Sequence, residues 1–222
     1  MVYMKYWSKY NKDLLTLNNK IVEHNEKHNF NYVEDSFYNH IRDILALVIL
    51  KINDRKTLKI LDYGSNIITW SNLKNKINID NLKISLFDPF YLNKHEKINE
   101  NIEIFAQFEV VKKEIFDLTI FGSSSQYIVD LYNLLESKEE ILSKNILFTH
   151  TPFSINESFK SLQFTSYKGI QYVRSIDELI LFFKEKGYEI IFKSAINKKF
   201  ASVEEKYIDK TIYANILFSK NL

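Results

Sequence analysis

The hydrophobic pattern separates a helical N-terminal part of the chain from a strand-rich remainder. Apolar residues recur every three or four positions at Val33, Phe37, Ile41, Ile44, Val48 and Ile52, which is the spacing of one helix face. A shorter stripe of the same kind is formed by Leu14, Leu17 and Ile21. We therefore predict two helices before the first strand, with residues 1–55 forming a helical extension that packs on the core as a cap.

From Leu58 the periodicity changes to short apolar runs separated by more polar segments of helix-compatible composition. Buried strands that alternate with helices are typical of βα units and a parallel sheet. We therefore predict an α/β domain over residues 56–222, although the connection over 106–115 is short for a full helix. The predicted strands are at 58–61, 84–87, 102–105, 118–121 and 146–148.

The C-terminal third contains one well-marked helix and two further strands. Ser175-Ile176-Asp177-Glu178 is a capped helix start, and Gly187 is a suitable end. The segments 188–192 and 211–218 are rich in aromatic and β-branched residues, and the span between them needs no long helix. We predict that they pair antiparallel at the edge of the sheet, whereas 151–173 has no clear pattern.

Composition removes several classes of function. The 222 residues carry a formal charge of +2, so no strong field points to nucleic acid or an anionic membrane as partner. The absence of cysteine excludes disulfides, thiolate nucleophiles, iron–sulfur clusters and cysteine zinc sites. No apolar run approaches the roughly 20 residues of a membrane span, and the first residues do not resemble a signal peptide. We expect a folded cytoplasmic protein without a membrane span.

Candidate chemistry lies where the first two predicted strands end, because ligands of open α/β sheets bind outside the carboxyl ends of the strands. The first strand is followed by a carboxylate and by a glycine that permits close approach of backbone to a ligand. Asp88 follows the second strand, where an acidic side chain can bind ribose hydroxyls. Pro89 and Phe90 offer an apolar surface for an adenine or belong to the core. The residues after the first strand are Asp62, Tyr63, Gly64 and Ser65.

Two later strand ends contribute hydroxyls and an imidazole. Ser123 and Ser124 follow the fourth strand, where they either line a polar ligand or cap a helix. His150 ends the fifth strand and is a candidate general base, with a packed structural histidine as the alternative.

Three competing motifs are incomplete. His24 and His28 share a helix face like a metal pair, but Asn25 stands where a zincin helix needs glutamate. Gln126 stands where the nucleophile elbow of a serine hydrolase needs its second glycine. No phosphate-loop motif is present. We therefore expect neither a metal site nor hydrolase chemistry.

The segments Ile60 to Ser65, Phe87-Asp88 and Phe116 to Ser123 resemble, in order and spacing, the motifs of class I S-adenosylmethionine-dependent methyltransferases. More narrowly, Gly122 to Asp130 and Thr149 to Ser154 resemble a family of bacterial methyltransferases associated with surface-polysaccharide gene clusters. The resemblance implies a Rossmann-like fold with a seven-stranded, mostly parallel sheet whose last strand is antiparallel, and helices on both faces.

The resemblance also implies roles for the residues at the strand ends. Asp62 and Gly64 would hold the methionine end of S-adenosyl-L-methionine, and Asp88 the ribose. Tyr63 and Ser65 would be further cofactor-binding residues. Pro89 and Phe90 would contact the adenine, and Ser123 and Ser124 would form the floor near the sulfonium. His150 would be the base for an acceptor hydroxyl, and Tyr127 would either orient the substrate or serve as a secondary proton-handling group. The products would be S-adenosyl-L-homocysteine and an O-methylated sugar or other small glycan precursor.

The chain departs from this family at two positions. The loop after Gly64 lacks the second and third glycines, and Ile67 and Ile68 are poorly suited to a positive φ. His150 stands where the family has an arginine. The departures leave open a methyltransferase-like binding or partner protein without catalysis. A dinucleotide oxidoreductase ranks last, because the chain has no G-x-G-x-x-G motif.

Overall fold

A computed structural model describes residues 36–52, 57–64, 70, 73, 81–88, 95–97, 100–107, 114–163, 169–196 and 203–220. The first predicted helix therefore lies outside the described residues. The second is confirmed as α1, Ser36–Ile52. Its apolar stripe, including Ile44, Leu45, Val48 and Ile49, packs against one face of the sheet.

The sheet confirms every predicted strand and the mostly parallel arrangement. Its central order is β3-β4-β2-β1-β5-β6-β10-β9. Strands β4, β2, β1, β5 and β6 are parallel, and β10 is antiparallel to both of its neighbours. The strands are β1 Leu58–Tyr63, β2 Leu82–Phe87, β3 His95–Lys97, β4 Ile102–Phe105, β5 Leu118–Gly122, β6 Asn145–Ser154, β7 Phe159–Leu162, β8 Ile170–Ser175, β9 Tyr188–Ile196 and β10 Thr211–Lys220.

The expected number of strands was wrong, because the described chain forms ten rather than seven. Strand β3 is a three-residue antiparallel edge strand beside β4, too short to leave an apolar pattern. Strands β7 and β8 form an antiparallel hairpin joined to the end of β6. The hairpin gives little sequence signal because most of its buried side chains are polar, whereas Leu162 and Ile170 are exposed. Its buried residues are Ser161, Gln171, Val173, Arg174 and Ser175.

Helices cover both faces of the sheet, as expected. Alternate residues of each strand point to opposite faces. In β1, Ile60 belongs to the core cluster beneath α1, and Leu61 belongs to the cluster on the other face. That second cluster also contains apolar residues of α2, Leu131–Ser137, and α3, Ile176–Glu185.

Helix α3 follows its sequence signals closely. The Ser175 side chain accepts a hydrogen bond from the Glu178 N–H, which satisfies one orphan donor of the first turn. Gly187 has φ +80° just after the helix, the left-handed conformation typical of a C-terminal cap. The predicted start and end are both confirmed.

Candidate functional site

Four neighbouring parallel strands bring most of the predicted site residues to one edge of the sheet. In the order β2, β1, β5, Asp88, Asp62 and Ser123 lie at or next to the carboxyl ends of their strands. His150 does not end its strand as predicted: it lies within β6, one residue beyond the Gly122–Thr149 pair, because β6 continues beside β10 to Ser154. Residues that are up to 88 positions apart in sequence are thereby brought toward one edge of the sheet. Ser65, Pro89 and Phe90, which the sequence also predicted there, lie outside the described residues.

Asp62 is held by a partner that sequence reasoning missed. Its carboxylate is buried, and Oδ2 accepts a hydrogen bond of 2.6 Å from the indole N–H of Trp70, itself fully buried. A hydrogen bond to an ionised acceptor is stronger than a neutral one. Trp70 therefore holds the Asp62 carboxylate, and its only sequence signal is an aromatic residue eight positions later.

Gly64 lies between the ends of β2 and β5. Its N–H donates to the carbonyl oxygen of Phe87 at 2.6 Å, and its φ is +73°. A Cβ added there would lie 2.6 Å from Cβ of Ser124, whose hydroxyl donates to the carbonyl oxygen of Tyr63 at 2.5 Å. Backbone conformation and close contact both require glycine at this position.

Asp88 and Tyr63 form the β2 side of the site. Asp88 is buried, and its N–H donates to the carbonyl oxygen of Phe105 at 3.0 Å. Burial, and secondarily the negative charge of Asp88, raise the pKa of Tyr63 to about 12. The phenol ring lies 4.8 Å from the ring of Phe87 and 5.4 Å from that of Phe121. Tyr63 is therefore a neutral, ring-packed neighbour of a buried carboxylate at neutral pH.

The serines after β5 do not serve as helix caps through their side chains. Ser124 precedes a 3₁₀ turn, Ser125–Tyr127, but makes no side-chain cap hydrogen bond. Ser123 has φ +54°, and the Gln126 amide donates to its carbonyl oxygen at 2.9 Å and to its hydroxyl at 3.2 Å. Gln126 Oε1 is buried and accepts no hydrogen bond from the residues that the structure describes. This loop therefore offers a buried acceptor beside the Ser123 hydroxyl.

His150 and Tyr127 belong to one polar-aromatic group, which we call the acceptor cluster: His150, Tyr213, Tyr127 and Gln163. The imidazole of His150 is buried, with its ring 5.2 Å from that of Tyr213. Burial, and secondarily Tyr127, raise the pKa of Tyr213 well above its ordinary value. The Tyr127 hydroxyl donates to Gln163 Oε1 at 2.8 Å. The cluster thus combines neutral hydroxyls, an amide and one imidazole.

Arg174, at the end of β8, fastens the loop that carries the serines and Tyr127. Its guanidinium is buried and donates to carbonyl oxygens of the loop, at 2.9 Å for Ser125 and also for Ile128. Burial lowers the pKa of Arg174 from its ordinary value. Sequence reasoning missed this residue, because nothing in the local pattern distinguishes a carbonyl-binding arginine from a surface one.

Metal and membrane features are absent from the described parts of the chain. No group of three or more His, Cys, Asp or Glu side chains there could hold a metal ion. Within the same residues, no helix combines the length and apolarity that crossing a membrane requires.

No protein-family model matches the sequence, and no curated protein is similar enough to count as a relative. Solved structures do match. The 1,6-didemethyltoxoflavin-N1-methyltransferase of Burkholderia thailandensis, solved with bound 1,6-didemethyltoxoflavin and S-adenosylhomocysteine, gives a TM-score of 0.53 at 11% identity, covering 95% of this chain and 90% of that one. The N-terminal domain of EvdMO1, solved in the presence of S-adenosylhomocysteine and D-fucose, gives a TM-score of 0.55 at 9% identity, covering 81% of this chain and 82% of that one.

A third similar structure has a different named activity. The [4+2]-cyclase SpnF gives a TM-score of 0.55 at 10% identity, covering 86% of this chain and 85% of that one. At such identities the similarity establishes the fold, and a fold hosts more than one chemistry. The chain therefore has the Rossmann-like α/β fold found in methyltransferases, with a mostly parallel sheet and an antiparallel last strand.

Proposed function

We propose that the protein is an S-adenosylmethionine-dependent methyltransferase. The observation that carries the proposal is the pair of buried carboxylates, Asp62 and Asp88, flanking the glycine-only turn at Gly64 on adjacent strands. Asp88 fits the ribose diol, because a carboxylate accepts two hydroxyl donors. The turn at Gly64 would contact the methionine end, and Ser123 would line the floor. Pro89 and Phe90 are proposed for the adenine and Ser65 for the methionine end.

The acceptor cluster supports transfer to a hydroxyl group. When bound, S-adenosylmethionine would supply the methyl group for the acceptor oxygen and leave as S-adenosylhomocysteine. His150 would take the hydroxyl proton, and Tyr127 would orient the acceptor. Alignment and exclusion of water supply much of the rate in such a displacement.

We propose a sugar or small glycan precursor as the acceptor. Tyr127, Tyr213 and Gln163 combine aromatic surface with hydroxyl and amide groups, which suits a polyhydroxylated ring. The similar EvdMO1 domain was crystallised with D-fucose. A role in capsule or lipopolysaccharide synthesis follows from the sequence resemblance alone.

Asp88→Ala is expected to weaken S-adenosylhomocysteine binding by about 10- to 100-fold, because losing hydrogen bonds to an ionised group costs about 1.5–3 kcal/mol. Calorimetric titration measures the change. The matched control is Asp117→Asn at the opposite edge of the sheet, where the carboxylate accepts from the Lys59 N–H. Equal affinity of the Asp88 variant and the unmodified protein would contradict the assignment of the ribose site.

His150→Asn is expected to leave S-adenosylhomocysteine affinity unchanged and to lower kcat on the acceptor by about 100-fold, the contribution of a positioned base. Asparagine is the suitable replacement, because it tolerates the positive φ that His150 adopts. The measurement is a steady-state assay with nucleotide sugars and glycan precursors. Full turnover by this variant would remove His150 from the reaction.

A second candidate is a binding or partner protein with this fold and no catalysis. Two observations favour it: the Trp70 indole already takes one Asp62 oxygen, and Ser124 packs directly against Gly64. The Trp70 indole and the Ser124 side chain both reduce the space available to a cofactor at the end of β1. Titration of the folded protein with S-adenosylmethionine and S-adenosylhomocysteine separates the two candidates, since absence of binding would support the partner protein.

A further inference from the structure

We propose that Asn215 is a positioning residue for the acceptor cluster: its side chain builds the β-bulge that holds His150 beside Tyr213. The chemical consequence rests on the proposed function, which assigns the acceptor proton to His150. The structural part of the proposal does not depend on that assignment and can be tested without cofactor or acceptor.

The bulge follows from the register of β6 against β10. Phe148 pairs with Ile216 and Thr151 pairs with Ala214, so two residues of β6, Thr149 and His150, lie opposite the single residue Asn215. A bulge leaves the extra residue outside the ladder and re-aims its side chain. His150 has φ +51°, a conformation usually left to glycine in such bulges. Something must therefore stabilise histidine at this position.

The Asn215 amide supplies the missing partners. Its Oδ1 accepts from the His150 N–H at 2.9 Å and from the Thr149 hydroxyl at 2.8 Å. Its Nδ2 donates to the Ser194 hydroxyl in β9 at 3.0 Å. A backbone N–H is only a donor, so the amide oxygen must face His150 and the orientation of the amide is settled. Asn215 is fully buried and spans the sheet from β9 to β6.

Loss of Asn215 Oδ1, the hydrogen-bond acceptor for the His150 N–H, is expected to change the pairing of β6. A buried backbone N–H without a partner is strongly disfavoured, so a β6 strand that loses Oδ1 is driven toward regular pairing. Because side chains alternate between faces, a shift of one residue would carry the imidazole away from Tyr213. Asn215 would thus affect the reaction only indirectly, by fixing the position of the His150 imidazole.

The test asks whether the rings of His150 and Tyr213 stay in contact in the variant Asn215→Leu. The measurement is the nuclear Overhauser cross-peak between their ring protons. The centroid distance of 5.2 Å makes this contact measurable in the unmodified protein. His150→Asn assigns the signal among the five histidines. We expect Asn215→Leu to lose the cross-peak and to lower kcat at least 10-fold, with unchanged S-adenosylhomocysteine affinity.

Ser194→Ala is the matched control. It removes the other hydrogen bond of the Asn215 amide but keeps the acceptor for the His150 N–H, so we expect it to retain the cross-peak and kcat within about twofold. Retention of the cross-peak in folded Asn215→Leu would overturn the proposal. Failure to bind S-adenosylhomocysteine in every variant would instead overturn the proposed function and leave the ring contact as the test of Asn215.

Two further measurements apply if Asn215→Leu does not fold. Asn215→Ala also lacks the acceptor, without adding an apolar branch, and is expected to lose the same cross-peak. In the unmodified protein, the His150 amide is expected to exchange its hydrogen slowly, because Asn215 Oδ1 holds it. Exchange at the rate of an exposed amide would overturn the proposal without any substitution.

Discussion

Arg174→Met is expected to lower the free energy of unfolding by about 3 kcal/mol, since hydrogen bonds from a charged group contribute about 1.5–3 kcal/mol and their loss leaves buried acceptors without donors. The guanidinium donates to the carbonyl oxygens of Ser125 and Ile128, and more weakly to those of Tyr172 and Val129, each at 3.4 Å. These bonds join the end of β8 to the loop after β5. Urea denaturation measures the loss.

Arg174→Lys is expected to recover little of this stability. A lysine ammonium is a compact charge and cannot span several carbonyl oxygens as a planar guanidinium does. Lys186→Met is the matched control, because the Lys186–Glu136 pair is partly exposed and such pairs contribute at most about 1 kcal/mol. Stability of Arg174→Lys equal to that of the unmodified protein would show that charge alone, rather than the fork of donors, holds the loop.

Gly64→Ala is expected to lower the free energy of unfolding by about 3 kcal/mol, combining about 1–2 kcal/mol for a left-handed residue with about 1–3 kcal/mol for steric overlap. The overlap arises because the new Cβ would lie 2.6 Å from Cβ of Ser124, and neither atom is at the end of a flexible side chain. Thermal and urea unfolding measure the effect. Cofactor affinity should fall as well, since the turn lies between the ends of β2 and β5.

Gly187→Ala separates the cost of the left-handed backbone conformation from the cost of steric overlap. Gly187 has φ +80°, but a Cβ there would meet only Lys220 Cε, at 3.9 Å. Its substitution therefore measures the backbone cost alone, about 1–2 kcal/mol. In the double variant with Ser124→Gly, Gly64→Ala should cost close to the same amount. If Gly64→Ala and Gly187→Ala destabilise the protein equally, the contact with Ser124 is not repulsive.

The positions of most strands and of the main helices along the chain could be predicted from the sequence because burial is a local, periodic signal. The run 58–61 becomes β1, and the Ser175 cap and Gly187 bound α3. The same reasoning failed for the β7–β8 hairpin. Most of its buried side chains are polar, so its pairing leaves no apolar periodicity in the sequence.

The candidate site was only half accessible to sequence reasoning. Asp62, Gly64, Asp88 and the serines after β5 could be located because parallel strands end at a common edge, a property of the fold class. The proximity of His150 and Tyr127 was not predictable from spacing. It depends on Tyr213 of β10, whose ring lies 5.2 Å from that of His150 and whose pKa Tyr127 helps to raise.

The sequence by itself determined seven of the ten strands in the described chain, helix α3, and the carboxylates, glycine and serines that follow the parallel strands. Only the tertiary structure decided the partners of those residues: Trp70 for Asp62, Ser124 against Gly64, and Asn215 for the bulge at His150. The physical reason is the sequence separation of the interacting residues. Periodicity and caps arise from neighbours within a few positions, whereas the Asn215–His150 hydrogen bond joins residues 65 positions apart. Such a contact exists only once β6 and β10 have paired in one register.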